Sequence, residues 1–210
     1  MKPNITSLIH STKSLAIVLA GLAVLSTGCS INLQHGALTA PAKPRNGTIN
    51  VSAAATGSEH RPDGANGRAG WGRFTIFAIP VVPVHVEGDG NIAIAQGIQD
   101  ALSQAGYTPK AIDASDPVAG KVLTCEVDRF GFSNYTYFFP IVPTWGNVGL
   151  KVNLQSADKS VLWTRDYRGS GLTLNFFDGY TSSCRGAMTS ILNQMTADFA
   201  SDEFYTALNK

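Results

Sequence analysis

Two segments in the second half of the chain alternate apolar and polar residues, and this pattern constrains the fold more than any other feature. They are KVLTCEVD (121–128) and GLKVNLQ (149–155), and a third segment, VLWTRDYRG (161–169), follows shortly after the second. In such strands one face is apolar and the other polar, as in a sheet that is covered on one side. Residues 156–160 (SADKS), between the second and third segments, are typical of a tight turn. The sequence therefore predicts an antiparallel meander with one buried face.

Two segments have the 3–4-residue spacing of amphipathic helices. Residues 91–106 (NIAIAQGIQDALSQAG) carry this spacing, with Asn91 able to cap the start and Gly106 able to end the helix. Residues 181–199 carry it as well, and residues 201–208 can add a turn or two. Combined with the meander, these segments predict the α+β class: a mostly antiparallel sheet with two main helices packed on one face.

Residues 29–72 have the composition of a linker. They are rich in Gly, Ala, Pro, Ser and Asn, so we expect a flexible tether with a reach of about 35 Å, with a short strand at residues 48–52 (TINVS). Residues 74–86 (FTIFAIPVVPVHV) are apolar on both alternating sets and predict one buried strand, bent or at an edge because of its prolines. A single folded domain is therefore expected at residues 73–210.

The N-terminal residues have the order of an export signal. Two lysines and no acidic residue precede LAIVLAGLAVL (15–25), which is shorter than the roughly 20 apolar residues that cross a bilayer. The following LSTGCS (25–30) resembles the lipobox of bacterial lipoproteins, in which the cysteine is acylated after cleavage. The resemblance implies a signal peptide at residues 1–28 and palmitate-type acylation of Cys29. Because Ser30 rather than Asp follows, it also implies sorting to the periplasmic face of the outer membrane.

Three cysteines are an odd number for an exported chain. Acylation of Cys29 leaves Cys125 and Cys184, both on predicted inward faces, as a candidate disulfide between sheet and helix. Two buried, reduced thiols are the alternative. Secretion without acylation also stays open, because residues 26–28 (STG) fit the small-x-small rule of soluble export.

Charge and motifs disfavour nucleic-acid binding and common enzyme chemistry. Removal of the signal takes away two of the 16 basic residues and none of the 15 acidic ones, so the product is nearly neutral and has no basic footprint for nucleic acid. The chain lacks G-x-S-x-G, H-E-x-x-H and C-x-x-C motifs. His85 is the one histidine of the predicted domain, so a hydrolase would depend on it together with Asp89 or a nearby serine. We expect no enzyme activity, no cofactor and no metal site.

Residues 130–145 (FGFSNYTYFFPIVPTW) form an aromatic segment. Such a cluster either packs over the sheet or projects as a hairpin that contacts a partner protein or acyl chain. In the second case Ile141 and Val142, between two prolines, form the stiff tip. The candidate partner-binding residues are Tyr135, Tyr137, Phe138, Phe139, Ile141, Val142 and Trp145.

Two stretches carry a wider resemblance, IAQGIQDALSQAGY (94–107) and LKVNLQSADKSVLWTRDYRG (150–169). They resemble the α+β domains of small Gram-negative envelope lipoproteins, namely lipopolysaccharide-assembly lipoproteins, ABC-transport auxiliary lipoproteins and the N-terminal domain of the TolB protein. The resemblance covers residues 73–210 and implies a non-enzymatic accessory role: an outer-membrane-anchored lipoprotein that binds a partner protein in envelope assembly or transport. A lipid-binding or lipid-transport module is the alternative, and an unrecognised hydrolase is a third.

Overall fold

A computed structural model describes residues 30–57, 72–76, 79–113, 120–134, 142–174 and 179–210. The described residues form nine strands and three helices, and the α+β class predicted from the sequence is confirmed. In chain order the elements are β1 (Ser30–Ile31), β2 (Thr48–Ser52), β3 (Thr56–Gly57), β4 (Gly72–Ile76), β5 (Ile79–Val86), α1 (Gly90–Gln104), β6 (Thr108–Ile112), β7 (Val122–Asn134), β8 (Thr144–Gln155), β9 (Val161–Thr173), α2 (Gly179–Phe199) and α3 (Asp202–Asn209).

The long strand β7 organises the sheet. One of its edges pairs along its whole length with β8, which pairs in turn with β9, and both pairings are antiparallel. The other edge pairs with three short parallel strands in succession, β2, β3 and β4. β6 extends the sheet from β2, while β5 and then β1 extend it from β4. The predicted meander is therefore present, and the sheet is mixed because β2, β3 and β4 pair with β7 in parallel.

Helices α1 and α2 cover one face of the sheet, as the sequence predicts. Burial alternates along β8, and its inward side chains, such as Leu150 and Leu154, are at most 1 % exposed. Ile191 and Met195 of α2 belong to the same core and are fully buried. Each large apolar side chain buried in this way stabilises the fold by about 1.5–3 kcal/mol. The opposite face of the meander is open to solvent.

Two glycines of β9 let α2 approach the sheet closely. A Cβ atom at Gly171 would lie 1.7 Å from the backbone oxygen of Ser183, and one at Gly169 would lie 2.4 Å from the backbone oxygen of Ala187. Both distances are too short for any side chain. The backbone of the helix therefore rests directly on the backbone of the strand.

We expect Gly171→Ala to lower the free energy of unfolding by about 1–3 kcal/mol, because the added methyl group must push α2 away from β9. Gly186 provides a matched control on the exposed face of the same helix, where an added Cβ has open space. Gly186→Ala should raise the free energy of unfolding by about 0.5–1 kcal/mol through helix propensity. Urea unfolding followed by circular dichroism measures both, and equal effects would contradict the close contact.

Residues 31–57 belong to the folded domain, so the prediction that they form a flexible tether is wrong, as is the domain boundary at residue 73. Only the predicted strand at residues 48–52 is confirmed, as β2. The core residues of this stretch are at most 4 % exposed; they are Ile31, Ile49, Val51 and Ala55. Composition misleads here because a few well-placed apolar residues and backbone hydrogen bonds are enough to hold a polar stretch in place. The remaining tether residues, 58–71 and residue 29, lie outside the described residues.

A strap formed by residues 32–47 crosses the helices without regular secondary structure. The backbone amide of Gly36 donates to the hydroxyl of Thr189 at 2.7 Å. The amide of Thr39 donates to the side-chain oxygen of Asn193, also at 2.7 Å. Both partners lie on α2, so the strap is tied to the helix that packs on the meander.

Arg45 secures the end of the strap. Its Nε donates to the carbonyl of Ala200 at 2.9 Å, and its backbone amide donates to the carbonyl of Ala105 at 2.7 Å. The guanidinium carbon lies 4.9 Å from the ring centroid of Tyr205. A hydrogen bond from the guanidinium and its positive charge lower the pKa of Asp202 below its usual range. One side chain thus links the strap to the C-terminal helices.

We expect Arg45→Ala to lower the free energy of unfolding by about 1–3 kcal/mol, through loss of the charge-assisted hydrogen bond to Ala200 and of the contact with Tyr205. Lys43→Ala, an exposed basic residue of the same strap, should change it by less than about 0.5 kcal/mol. Thermal and urea unfolding of the two variants measure the difference. If the stretch behaved as a tether, both substitutions would be neutral.

The apolar residues at 74–86 form two strands, so the prediction of one bent strand is wrong. β4 and β5 pair antiparallel, with a register irregularity between Phe74 and Thr75. The sequence between the two strands, residues 77–78, contains no Gly, Asn or Asp that would predict a turn. Because the run is apolar throughout, its sequence does not indicate that it forms two paired strands.

Cys125 and Cys184 are free thiols, so the predicted disulfide is wrong and the alternative of two buried, reduced cysteines is correct. Across β8, Cys125 lies level with Arg165 of β9. Cys184 follows Ser183, which lies against Gly171, six residues further along β9. At about 3.3 Å per residue the two levels are about 20 Å apart. Bridged cysteines need Cα atoms within about 7 Å.

We expect neither Cys125 nor Cys184 to react with iodoacetamide in the native protein at pH 8. Burial raises the pKa of both thiols to about 12, so each is neutral as well as inaccessible. After unfolding in the absence of reductant, both should be alkylated. Intact mass spectrometry counts the adducts, and a need for reductant before labelling would contradict the free thiols.

Candidate functional site

The outer face of the meander is the surface of β7, β8 and β9 that points away from the helices. It exists because alternate residues of each long strand face the core and leave the others in solvent. Its side chains form rows across the three strands: Thr124, Asn153 and Thr164; Glu126, Lys151 and Asp166; Arg129, Gly149 and Arg168; Gly131, Asn147 and Ser170; and Trp145 with Leu172.

The part of the outer face nearest the turn at residues 156–160 is polar. Glu126, Lys151 and Asp166 alternate in charge across the three strands and are all exposed. Cross-strand neighbours of opposite charge lie close enough to attract each other. In the next row, the hydroxyl of Thr164 donates to the side-chain oxygen of Asn153 at 2.7 Å. These rows form a hydrated, regular surface.

Gly149 forms the floor of a shallow depression of about 220 Å³ between two arginines. Arg129 and Arg168 lie on either side of it, on β7 and β9. A Cβ atom at Gly149 would lie 3.3 Å from the Cβ of Arg129 and 3.4 Å from Oδ2 of Asp128. A register irregularity in β7 places Asp128 beside this row. Two arginines therefore line an open depression, and an arginine guanidinium can bind a carboxylate in bidentate fashion.

The outer face ends in apolar side chains, which we call the apolar end: Trp145, Leu172 and Leu174. Trp145 and Leu172 are cross-strand neighbours, and they are 39 % and 69 % exposed. Leu174, just beyond β9, is 58 % exposed. These three are half of the exposed large apolar side chains among the described residues. Exposed apolar groups gathered in one place are typical of an interaction surface.

The predicted aromatic segment is divided between core and surface. Phe130 and Phe132 face inward, are 6 % and 2 % exposed, and have ring centroids 5.2 Å apart. Val142 is 1 % exposed, so the prediction that it forms part of an exposed tip is wrong. Trp145 lies on the outer face. Residues outside the described part of the chain are Cys29, Tyr135, Tyr137, Phe138, Phe139 and Ile141.

Asp89, which the hydrolase alternative pairs with His85, has a structural role. Its Oδ1 accepts hydrogen bonds from the backbone amides of Asn91 at 2.8 Å and Ile92 at 3.4 Å, so it caps α1 in place of the predicted Asn91. The side chain of His85 lies outside the described part of the structure. Among the residues that the structure describes, no group of three His, Cys, Asp or Glu is placed to hold a metal ion. No described helix is both long and apolar enough to cross a membrane.

A second depression, of about 630 Å³, lies near the start of β7 and the end of α3. Lys121 on its wall donates to the carbonyl of Leu208 at 2.5 Å and to that of Ala207 at 3.5 Å. Its charge therefore caps the C-terminus of α3, where the helix dipole favours a cation. The Lys121 ammonium is already engaged, whereas Arg129 and Arg168 flank an open depression. The outer face is the stronger candidate site.

Comparison with known proteins shows a shared fold. No protein-family model matches the chain, and no curated protein sequence matches it. A Xanthomonas campestris protein of the DUF330 family is similar in structure, with a TM-score of 0.52 and 15 % identity over 86 % of this chain and 97 % of that one. Two other solved structures are less similar. They are PelC, a dodecamer from Paraburkholderia phytofirmans (TM-score 0.36, 16 % identity, 76 % and 95 % covered), and a candidate lipoprotein from Caulobacter crescentus (0.35, 12 %, 67 % and 92 %).

Proposed function

We propose that this chain is an envelope lipoprotein, held on the periplasmic face of the outer membrane by acylated Cys29, that binds a partner protein and catalyses no reaction. The lipobox-like LSTGCS (25–30) supports the anchor. The fold shared with the DUF330 protein is compatible with the α+β domains that the sequence resembles.

The outer face of the meander carries this proposal. It extends over three long strands of 13, 12 and 13 residues. The opposite face of these strands packs in the core, whereas most side chains of the outer face are open to solvent. Arg129 and Arg168 on either side of Gly149 offer paired donors at the middle of this surface. Arginine is enriched at protein interfaces. We therefore expect the partner to present an Asp or Glu side chain to the depression.

Two observations disfavour the alternatives. Lipid transport needs an apolar cavity between sheet and helices, but the backbone of α2 lies directly on Gly169 and Gly171 and fills that interface along β9. The hydrolase alternative pairs His85 with Asp89 or a nearby serine, and Asp89 is already engaged in capping α1. Binding of a partner protein through the outer face requires neither a cavity nor a catalytic group.

We expect a photo-crosslinking residue at Ser170, on the rim of the depression, to capture one envelope protein in intact cells. The same residue at Ala197, exposed on the helical side, serves as the matched control and should capture none. Mass spectrometry identifies the captured protein. Capture from Ala197 alone would contradict the assignment of the outer face.

Binding of the purified partner then tests the two arginines. The double variant Arg129→Glu, Arg168→Glu should bind at least about tenfold more weakly, because the guanidinium pair is lost and like charge is introduced. Lys110→Glu, an exposed charge reversal on β6, should leave binding unchanged. Isothermal titration calorimetry compares the three proteins. Equal affinity of the double variant and the unmodified chain would overturn the proposed interface.

A further inference from the structure

We propose that the apolar end (Trp145, Leu172 and Leu174) lies in the headgroup region of the bilayer to which Cys29 is anchored, so that the strands of the meander stand upright on the membrane. This orientation rests on the acylation of Cys29 proposed above. The point at which the chain enters the sheet and the direction of the strands support it.

No spacer separates the proposed anchor from the domain. β1 begins at Ser30, the residue after Cys29, and pairs with β5 through Ser30 with His85 and Ile31 with Val86. Ile31 is fully buried in the core. The strap that follows is tied to all three helices. An acyl chain on Cys29 therefore holds the folded domain directly at the membrane surface.

β1 and β8 start at the same end of the sheet. β1 is parallel to β5, β5 is antiparallel to β4, and β4 is parallel to β7. β1 therefore runs in the same direction as β8, which is antiparallel to β7. The start of β1 consequently faces the end of the sheet at which β8 starts, which is the end that carries Trp145. The chain therefore enters β1 from the same end of the sheet as β8.

Ser30 lies close to the row of Trp145 and Leu172 along the strand direction. Ser30 pairs with His85, the residue after Val84, and Val84 pairs with Gly72, which pairs with Phe132. The row that holds Trp145 and Leu172 is one residue further toward the end than Phe132. Ser30 and this row thus differ by two residues, about 7 Å along the strands. An anchor at Cys29 brings the apolar end to the depth of the headgroups.

The exposed side chains of the apolar end suit the headgroup region of a bilayer. Leucine side chains gain free energy when they leave water for the boundary between headgroups and acyl chains, and tryptophan is enriched at that depth. Leu172 and Leu174 are the most exposed of the large apolar side chains described. Their exposure, which is unfavourable in water, becomes favourable beside an anchored lipid.

The orientation leaves the proposed partner site accessible. Gly149 lies four residues from Trp145 along β8, about 13 Å above the membrane end. The turn at residues 156–160 lies about 35 Å from that end, well into the aqueous phase. A partner can therefore approach the outer face from the side while the domain stays on the membrane.

Site-directed fluorescence tests this orientation in the full-length, acylated protein. The buried native thiols, Cys125 and Cys184, leave introduced cysteines as the reactive groups. Leu174→Cys reports on the apolar end, and Ala157→Cys in the turn is the matched control at the far end. Each variant is labelled with an NBD fluorophore and reconstituted into phosphatidylethanolamine–phosphatidylglycerol vesicles that contain doxyl-labelled lipid. Unchanged thermal unfolding of each variant confirms that it folds, and Leu172→Cys provides a second reporter.

We expect doxyl lipid to quench the label at position 174 and at position 172, and to leave the label at position 157 unquenched. Intact mass spectrometry of the same samples reports acylation at Cys29. An acylated chain whose label at 174 is unquenched, or is quenched no more than the label at 157, overturns the orientation and leaves the anchor standing. A chain without acyl groups overturns both the anchor and the orientation.

Discussion

The direct contact between the backbone of α2 and the glycines of β9 is the constraint on which the rest of the structure depends. At Gly169 and Gly171 the helix lies so close to the strand that no side chain fits between them. This contact sets the position of α2 along the meander and directs Ile191 and Met195 into the core shared with β8. Because strand residues alternate, the same arrangement sends the remaining side chains of the meander outward. The outer face is therefore a direct consequence of how the helix packs.

The strap adds a second constraint, which decides how the domain relates to its N-terminus. It uses backbone amides, such as those of Gly36 and Thr39, and the side chain of Arg45 to bind the helices. A chain held in this way has no freedom to act as a spacer. The proposed anchor and the proposed partner site are thereby linked, because a domain without a spacer presents its outer face at a set height and orientation above the membrane.

Periodicity predicted the regular elements well because apolar spacing records which side chains face the core. The helix predicted at residues 91–106 is observed at Gly90–Gln104, and the one predicted at residues 181–199 is observed at Gly179–Phe199. The prediction of a disulfide failed for a different reason. Cys125 and Cys184 do face inward, as predicted, but a one-dimensional pattern contains no information on their level along the strands. The prediction of a tether failed because composition averages over many residues. It does not show that a single residue such as Ile31 is buried in the core and fixes the chain there.

By itself, the sequence determined the α+β class, the meander, the two main helices and the turn between β8 and β9, because each depends on local spacing of apolar and turn-forming residues. The tertiary structure alone decided that β1 joins the sheet beside β5, that Gly149 lies between two arginines, and that β1 and β8 start at the same end of the sheet. These features are contacts between residues distant in the chain. Their physical origin is strand pairing and register, which are set by the packing of the whole core and which local periodicity does not encode.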